Sequence, residues 1–289
     1  SINATGDIYL VPVDPTISIG FSGGVGTFNV SDIEIGFFNP GGTLIIGDGV
    51  NGSGAVDVSG FNYSFQDYNL EFNGGDINVT NLFQGSNLLT LNALVGDITI
   101  TQDAVNFAAG SSFNAAGQIL LQPQTVGTSI GINAVNGDFN ISQAELDMFN
   151  PTTRLVIGDA ATAEGLATIA NFDYSAETYD FELYAGNIVA TNITQGVNDL
   201  TMEARVTDIQ LTQDTLDLTA GSSLTALQRI IIQPETNGQS IGVSGGTGDL
   251  NISDAELTLL DAGQTLQIGN KASGTGVVDV DGLDYSARD

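Results

Sequence analysis

Acidic side chains at turns are the groups in this sequence whose type and spacing could do chemistry. Aspartates that follow a glycine and precede an apolar residue recur in the sequence, and four of them are singled out: Asp76, Asp97, Asp138 and Asp249. Ca²⁺ is bound by clustered carboxylate and carbonyl oxygens, so these positions are candidate calcium ligands. The alternative, a turn with aspartate at the start of a strand, is favoured because the spacing lacks the nonapeptide period of calcium-binding repeats. Calcium is retained as a hypothesis, and no other cofactor is predicted.

The residue inventory excludes most other site chemistry. There is no cysteine, histidine or tryptophan, which rules out thiolate and imidazole metal sites and catalysis by cysteine or histidine. With Lys+Arg 5 and Asp+Glu 34, the formal net charge is -29. This balance argues against nucleic acid as a partner, because phosphates are neutralised by clustered lysine and arginine.

Pairs of carboxylates could serve as the acid and base of a glycosidase. Asp208 with Asp214, and Asp279 with Asp281, are such pairs. The alternative is that acidic residues at strand edges are solvated and discourage side-by-side aggregation. The acidic pattern recurs along the chain, whereas an active site is usually built once. We therefore predict that the protein is not an enzyme.

The elements that position these residues follow a long internal repeat. Ser18, Ser129 and Ser240 each begin the sequence Ser-Ile-Gly, and their equal spacing gives a 111-residue period. The same period, without insertion or deletion, relates three sets of residues that we interpret as structural positions: Gly20, Gly131 and Gly242; Gly47, Gly158 and Gly269; Tyr63, Tyr174 and Tyr285. The tyrosines could instead form a stripe that stacks on carbohydrate, but aromatic stacking within the fold is favoured.

The repeat defines the organisation of the chain. We divide it into residues 1–18, the end of a preceding repeat; 19–129, repeat one; 130–240, repeat two; and 241–289, a partial repeat three. Both ends fall inside a unit, and neither shows the atypical sequence of a capping repeat. We expect one continuous solenoid that belongs to a longer array or continues end to end into other copies.

Within each unit, apolar residues alternate with polar ones over four to six positions, and glycine and asparagine mark turns between these segments. Many short strands at this spacing suit a sandwich, a barrel or a solenoid, and the gapless repetition favours the solenoid. We predict coils of roughly 20 to 28 residues that rise about 4.8 Å each.

One interval departs from strand alternation. Residues 142–149 and 253–260 begin with serine and carry glutamate three positions later, which is the spacing of a capping box. A single helical turn and a strand both remain open, and Asn39-Pro40 and Asn150-Pro151 would end such a turn. Asn29, Asn140 and Asn251 begin recurring Asn-x-Ser sequences, which asparagine in a stacked corner explains without glycans.

Three segments carry a family resemblance. Residues 88–123 and 199–234 resemble the haemagglutinin-type repeats of large bacterial exoproteins, and residues 240–280 resemble a companion block of filamentous-haemagglutinin-like proteins. The resemblance implies a right-handed parallel β-helix, export, and a place at the bacterial cell surface or in an extracellular fibre.

The expected function is structural and adhesive: a stiff stalk or fibre segment of a large surface or secreted protein. The alternative is a polysaccharide-binding or polysaccharide-degrading β-helix. Expected partners are adjacent repeats or copies of the chain end to end, with host or matrix glycans as further candidates. No membrane span is expected, since the apolar runs are far shorter than the roughly 18 residues that a span requires.

Overall fold

The alternating segments form short strands that bury one face. The computed structural model describes residues 1–134, 136–272 and 274–283. Strands make up 43% of the structure and pair in parallel, so the predicted all-β class is confirmed. Two compact units are present: Ser1–Thr125 with Ile141–Gly158, and Val126–Asn140 with Asp159–Asp289. Their boundaries do not coincide with those of the 111-residue repeats.

The elements are numbered in chain order. The first thirteen strands and the first helical turn are β1 (Ile2–Ala4), β2 (Ile8–Leu10), β3 (Ile19–Ser22), β4 (Phe28–Val30), α1 (Asp32–Ile35), β5 (Phe38–Pro40), β6 (Thr43–Ile46), β7 (Val56–Ser59), β8 (Asn69–Gly74), β9 (Ile77–Thr80), β10 (Leu89–Ala93), β11 (Ile98–Thr101), β12 (Ser112–Ala115) and β13 (Ile119–Gln122). The remaining elements are β14 (Ile130–Ile132), β15 (Phe139–Ile141), α2 (Gln143–Leu146), β16 (Phe149–Pro151), β17 (Arg154–Ile157), β18 (Leu166–Asp173), β19 (Asp180–Ala185), β20 (Asn187–Thr194), β21 (Leu200–Ala204), β22 (Ile209–Thr212), β23 (Ser223–Ala226), β24 (Arg229–Gln233), β25 (Ile241–Val243), β26 (Leu250–Ile252), α3 (Asp254–Thr258), β27 (Leu260–Ala262), β28 (Thr265–Ile268) and β29 (Val278–Val280).

In each unit the strands of a sheet are parallel, and neighbouring strands mostly follow the order in which they occur along the chain. The first unit has one sheet in the order β2, β6, β8, β10, β12, β16, a run β4, β3, β7, β9, β11, β13, β17, and the pair β1 and β5. In the second unit β14, β18, β20, β22, β24 and β28 follow one another, β19, β21, β23 and β27 form a second run, and β26, β25 and β29 a third.

The chain repeatedly leaves a sheet and returns to it one strand further along, and we call each such passage a circuit. Ile77, Ile98 and Ile119 are successive register partners, with the same sequence separation as Asp76 and Asp97 at the adjoining corner. Two circuits of the first unit are longer, from Ile19 to Val56 and from Ile119 to Leu155. These two exceed the predicted range of coil lengths, because each contains a helical turn with its flanking strands.

Apolar side chains from successive strands stack into columns that form the core. One column of the first unit holds Ile46, Phe72, Leu91, Phe113 and Phe149, all fully buried. The rings of Phe113 and Phe149 stack with centroids 4.9 Å apart. Burial of these apolar side chains is the main favourable contribution to folding. The parallel register places the apolar side chains of one strand next to those of the neighbouring strands. Over the described residues, no helix is both long and apolar enough to cross a bilayer.

Candidate functional site

A tight loop between two parallel strands recurs with the 111-residue period. β3 and β4 pair in parallel although Ile19 and Phe28 are register partners only nine positions apart. Parallel strands usually need a crossover of a dozen or more residues. The loop closes because Gly20 has no side chain: a Cβ there would lie 2.2 Å from Asn29 Oδ1 and 2.6 Å from the Gly24 carbonyl oxygen.

The second unit repeats this loop twice. A Cβ on Gly131 would lie 1.8 Å from Asn140 Oδ1, and one on Gly242 would lie 2.3 Å from Asn251 Oδ1. Absence of a side chain is therefore a steric requirement at these recurring glycines, because each packs directly against an asparagine of its own loop.

The asparagines of the Asn-x-Ser sequences close these loops. The side-chain amides of Asn29, Asn140 and Asn251 donate to the carbonyl oxygens three residues earlier, at 2.6, 2.5 and 2.6 Å. Each amide is thus engaged within its own loop.

The second set of recurring glycines lies just after a strand, where the chain turns. Gly47, Gly158 and Gly269 have φ of +90°, +88° and +94°, a region that L side chains rarely adopt. Their backbone N–H groups donate to the carbonyl oxygens of Leu10, Leu121 and Ile232, respectively. These glycines combine a left-handed backbone with a hydrogen bond to the preceding circuit.

The Gly-Asp corners link one circuit to the next. Asp76 Oδ1 accepts from the Asp97 backbone N–H at 2.9 Å, and Asp97 Oδ1 accepts from the Gln118 N–H at 2.8 Å. The glycine makes room for this carboxylate, since a Cβ on Gly96 would lie 1.9 Å from Asp76 Oδ1. At this corner the motif joins successive circuits, because Gly96 leaves space for the aspartate of the preceding circuit.

The other two candidate calcium ligands, Asp138 and Asp249, have a different structural role. Asp138 accepts from the Ser129 hydroxyl at 3.0 Å, and Asp249 accepts from the Ser240 hydroxyl at 2.7 Å and from its N–H. These bonds, the hydroxyl first, hold the pKa of Asp249 below its ordinary value. The structure brings Asp76 and Asp97 together but not the other two. Among the residues it describes, no three or more Asp or Glu side chains are grouped closely enough to hold a metal.

Three of the four carboxylates considered for glycosidase chemistry are engaged in structural contacts. Asp208 forms an ion pair with Arg229 at 2.5 Å, and Asp279 Oδ2 accepts from the Thr247 N–H at 2.9 Å. Asp214 accepts from the Thr236 hydroxyl at 2.6 Å and from two backbone N–H groups. These carboxylates fasten loops of neighbouring circuits.

Asp103 fastens an equivalent corner of the first unit and is suited to a pH test. It accepts from the Thr125 hydroxyl at 2.6 Å and from the Thr125 N–H at 2.7 Å, and these bonds lower its pKa from 3.8. A carboxylate with a lowered pKa stabilises the fold above its unfolded pKa, and this contribution is lost as pH falls through its folded pKa.

We expect Asp103→Ala to melt roughly 2–4 °C below the wild type at pH 7, and this gap to close below about pH 4. Thermal melts monitored by circular dichroism between pH 3 and 7 measure the gap. Asp67→Ala, at an exposed carboxylate of the same unit, is the matched control and should show no gap at either pH. A gap that persists unchanged at pH 3 would mean that the carboxylate charge is not what holds the corner.

A partly buried polar cluster joins three successive circuits and also recurs. Gln195 Nε2 donates to the Asn198 carbonyl oxygen at 2.7 Å and to the Ser222 hydroxyl at 2.8 Å. Asn198 Nδ2 in turn donates to the Glu177 carbonyl oxygen in the circuit before. The first unit has the same bonds among Gln84, Asn87, Ser111 and Gln66. Sequence reasoning missed this cluster, although its Gln-x-x-Asn spacing recurs with the 111-residue period.

The recurring tyrosines lie in the interior. Tyr63 and Tyr174 are 0% and 1% exposed, and their rings stack on Phe61 and Phe172 with centroids 5.9 and 5.4 Å apart. Burial raises the pKa of both hydroxyls. These two residues offer no ring face to a carbohydrate. Tyr285 lies outside the described residues.

The capping-box sequences form helical turns. Ser31, Ser142 and Ser253 cap α1, α2 and α3, and each serine exchanges hydrogen bonds with the glutamate three residues on. The prediction that Asn39-Pro40 and Asn150-Pro151 end the turns is wrong. The turns end at Ile35 and Leu146, and the Asn-Pro pairs lie in β5 and β16, where they pair with β1 and β12.

The capping glutamates differ in one contact. Glu145 also accepts from the Phe107 N–H at 3.1 Å, whereas the described bonds of Glu34 are those to Ser31. We expect Glu145→Ala to lose about 1–3 kcal/mol of unfolding free energy, because the buried Phe107 N–H loses a charged acceptor. Glu34→Ala should lose less. Urea denaturation of the two variants tests this, and equal losses would show that capping alone accounts for the effect.

Comparison with known proteins gives no match. No protein-family model, no curated protein and no solved structure aligns significantly with the chain. The geometry described above, and no relative, therefore carries the functional conclusion.

Proposed function

We propose that the chain forms a right-handed parallel β-helix, in which each circuit is one coil. Support comes from the register: within each unit, a strand pairs with strands one circuit before and one circuit after it. Between β9 and its partner β11, the chain passes the bridge of Asn62 with Phe83 and then β10, so a coil has three faces. Parallel crossover connections are right-handed in almost all known cases.

The proposed function is that of a stiff, extracellular stalk or fibre segment of a bacterial surface or secreted protein, with an adhesive role. One observation carries it: parallel backbone pairing continues from strand to strand along the columns of each unit. Such pairing resists extension along the column because many backbone hydrogen bonds bear the load together. The family resemblance of residues 88–123 and 199–234 supports the same proposal.

Surface charge supports solubility of such a rod. The net charge of -29 keeps the flanks solvated and discourages side-by-side association. Adjacent repeats or further copies are the proposed end-to-end partners. Val278 and Val280 in β29 are about half exposed, whereas their equivalents Val56 and Val58 in β7 are buried by a neighbouring circuit on each side. A further parallel strand would cover them in the same way.

Electron microscopy of the purified chain tests the proposal. A β-helix should appear as a narrow rod, and diffraction from aligned material should show a repeat of about 4.8 Å along its axis. Images of separate globular domains connected along the chain would contradict both the proposed stiffness and the proposed role as a stalk or fibre segment. Adhesion is tested separately, by binding of coated beads to cells and immobilised glycans.

The polysaccharide alternative would require aromatic rings in solvent. The exposed rings include Phe65 and Phe83 in the first repeat, whose equivalents in the second are Ala176 and Thr194. These phenylalanines are not repeated, so they form no stripe from one repeat to the next, and a carbohydrate site built on them would be confined to the first repeat. Release of reducing sugar from plant or bacterial polysaccharides would support the alternative against the scaffold.

Calcium is expected to have little effect on stability. The carboxylates of Asp76 and Asp97 already accept backbone N–H groups of the next circuit, and clusters of three are absent from the described part of the chain. We expect millimolar CaCl₂ to shift the melting temperature no more than NaCl of equal ionic strength. A calcium-specific rise of roughly 5 °C or more would indicate a site that binds only to the folded state.

A further inference from the structure

Residues that are equivalent by the 111-residue repeat lie in different sheets. β2 and β13 are equivalent, yet β2 lies in the sheet of β6, β8, β10, β12 and β16, whereas β13 lies in the sheet of β9, β11 and β17. The second unit shows the same behaviour, since β14 lies in the sheet of β18, β20, β22, β24 and β28, whereas its equivalent β25 lies in a separate sheet with β26 and β29. The repeat is therefore not a whole number of circuits.

The register gives the size of the offset. Tyr9 aligns successively with Ile45, Glu71, Thr90 and Ser112, which is four steps along one sheet. The repeat equivalent of Tyr9 is Leu120, which lies eight positions beyond Ser112, in the next sheet along the chain. One repeat is four circuits plus the passage from one face to the next.

We infer that each repeat turns its tight loop and helical turn to the next of three faces, so that equivalent surfaces follow a helical path around the axis. This inference rests on the proposed β-helix. With about 4.8 Å per coil, four and one-third coils give a rise of roughly 21 Å per repeat. The same face returns after three repeats, or roughly 60 Å.

This offset decides what kind of partner the repeated surface can hold. A folded domain of about 100 residues has a radius of gyration near 13 Å and is therefore about 30 Å across. Such domains would collide if equivalent sites were spaced by roughly 21 Å along one face. Rotation by one face per repeat leaves room for one folded protein domain on every repeat. A partner lying straight along one face instead meets non-equivalent residues from each successive repeat.

Distances between spin labels test the offset within the first unit. The chain has no cysteine, so pairs of introduced cysteines can be labelled without background. Tyr9→Cys with Ser112→Cys places labels on one face, four strands apart. Tyr9→Cys with Leu120→Cys places them at repeat-equivalent positions. All three side chains point outward, and none is buried.

We expect a backbone separation of about 19 Å for the first pair, four strand spacings, and a clearly longer distance for the second. A second pair as short as or shorter than the first would overturn the rotation while leaving the β-helix intact. A first pair much longer than about 19 Å would overturn the parallel stacking itself, and with it both the rotation and the proposed function. Circular dichroism of each labelled variant should match the wild type.

Discussion

Replacement of Phe72 by alanine is expected to lower the free energy of unfolding by about 3–5 kcal/mol, the range for removing a buried phenylalanine. Phe72 is fully buried in β8, in register with Ile46 on one side and Leu91 on the other. Its ring packs edge-on against Phe21, with centroids 4.9 Å apart. Because backbone pairing fixes the strands on both sides, the column cannot close over the lost ring, and a cavity remains.

Chemical denaturation measures this loss, and hydrogen exchange locates it. Phe65→Ala is the matched control, since it makes the same change at a ring that is 85% exposed and should stay within about 0.5 kcal/mol of the wild type. Stability in stacked arrays comes mainly from nearest neighbours, so exchange should rise first in β6, β8 and β10. Equal destabilisation by both variants would contradict the buried column.

Gly47→Ala is expected to produce the other large effect, a loss of about 2–4 kcal/mol. Two costs add at this position. Its φ of +90° is unfavourable for an L side chain, and a Cβ would lie 1.9 Å from the Asn73 carbonyl oxygen. This oxygen belongs to the backbone of β8, so relief requires movement of a paired strand.

Gly60→Ala separates the two costs. Gly60 has φ of +70°, but a Cβ there would meet no atom within 4 Å, so only the backbone cost of about 1–2 kcal/mol applies. Denaturation midpoints of the two variants, measured side by side, give the cost of the close approach as their difference. Identical midpoints would show that backbone conformation alone, and not the contact with β8, demands glycine at position 47.

The same contacts explain why the repeat tolerates no insertion. A one-residue shift within a strand turns every side chain to the opposite face of the sheet. Such a shift before Ile98 would expose Ile98 and Ile100, and it would move Asp97 away from the Gln118 N–H. The length of the repeat is therefore constrained both by side-chain packing in the core and by the hydrogen bonds at the corners.

Part of the candidate site could be predicted from spacing. The Ser-x-x-Glu sequences at Ser142 and Ser253 indicated a capping box, and the structure shows a helical turn there. The end of the turn could not be predicted, because Asn150-Pro151 is drawn into pairing with β12 by residues far along the chain. Likewise, the role of Asp76 depends on Asp97 in the next circuit, and no local pattern specifies which backbone N–H a carboxylate will meet.

The sequence by itself determined the alternation of apolar and polar residues that forms short strands, the 111-residue period and the recurring glycines. Alternation and turn chemistry are local properties, which is why sequence alone is enough to identify them. Only the tertiary structure decided that Tyr63 and Tyr174 point inward, that the Asp76 carboxylate accepts a backbone N–H group, and that the equivalent strands β2 and β13 lie in different sheets. These features depend on which strands become neighbours. That choice is made by the register of whole circuits, which short-range pattern does not encode.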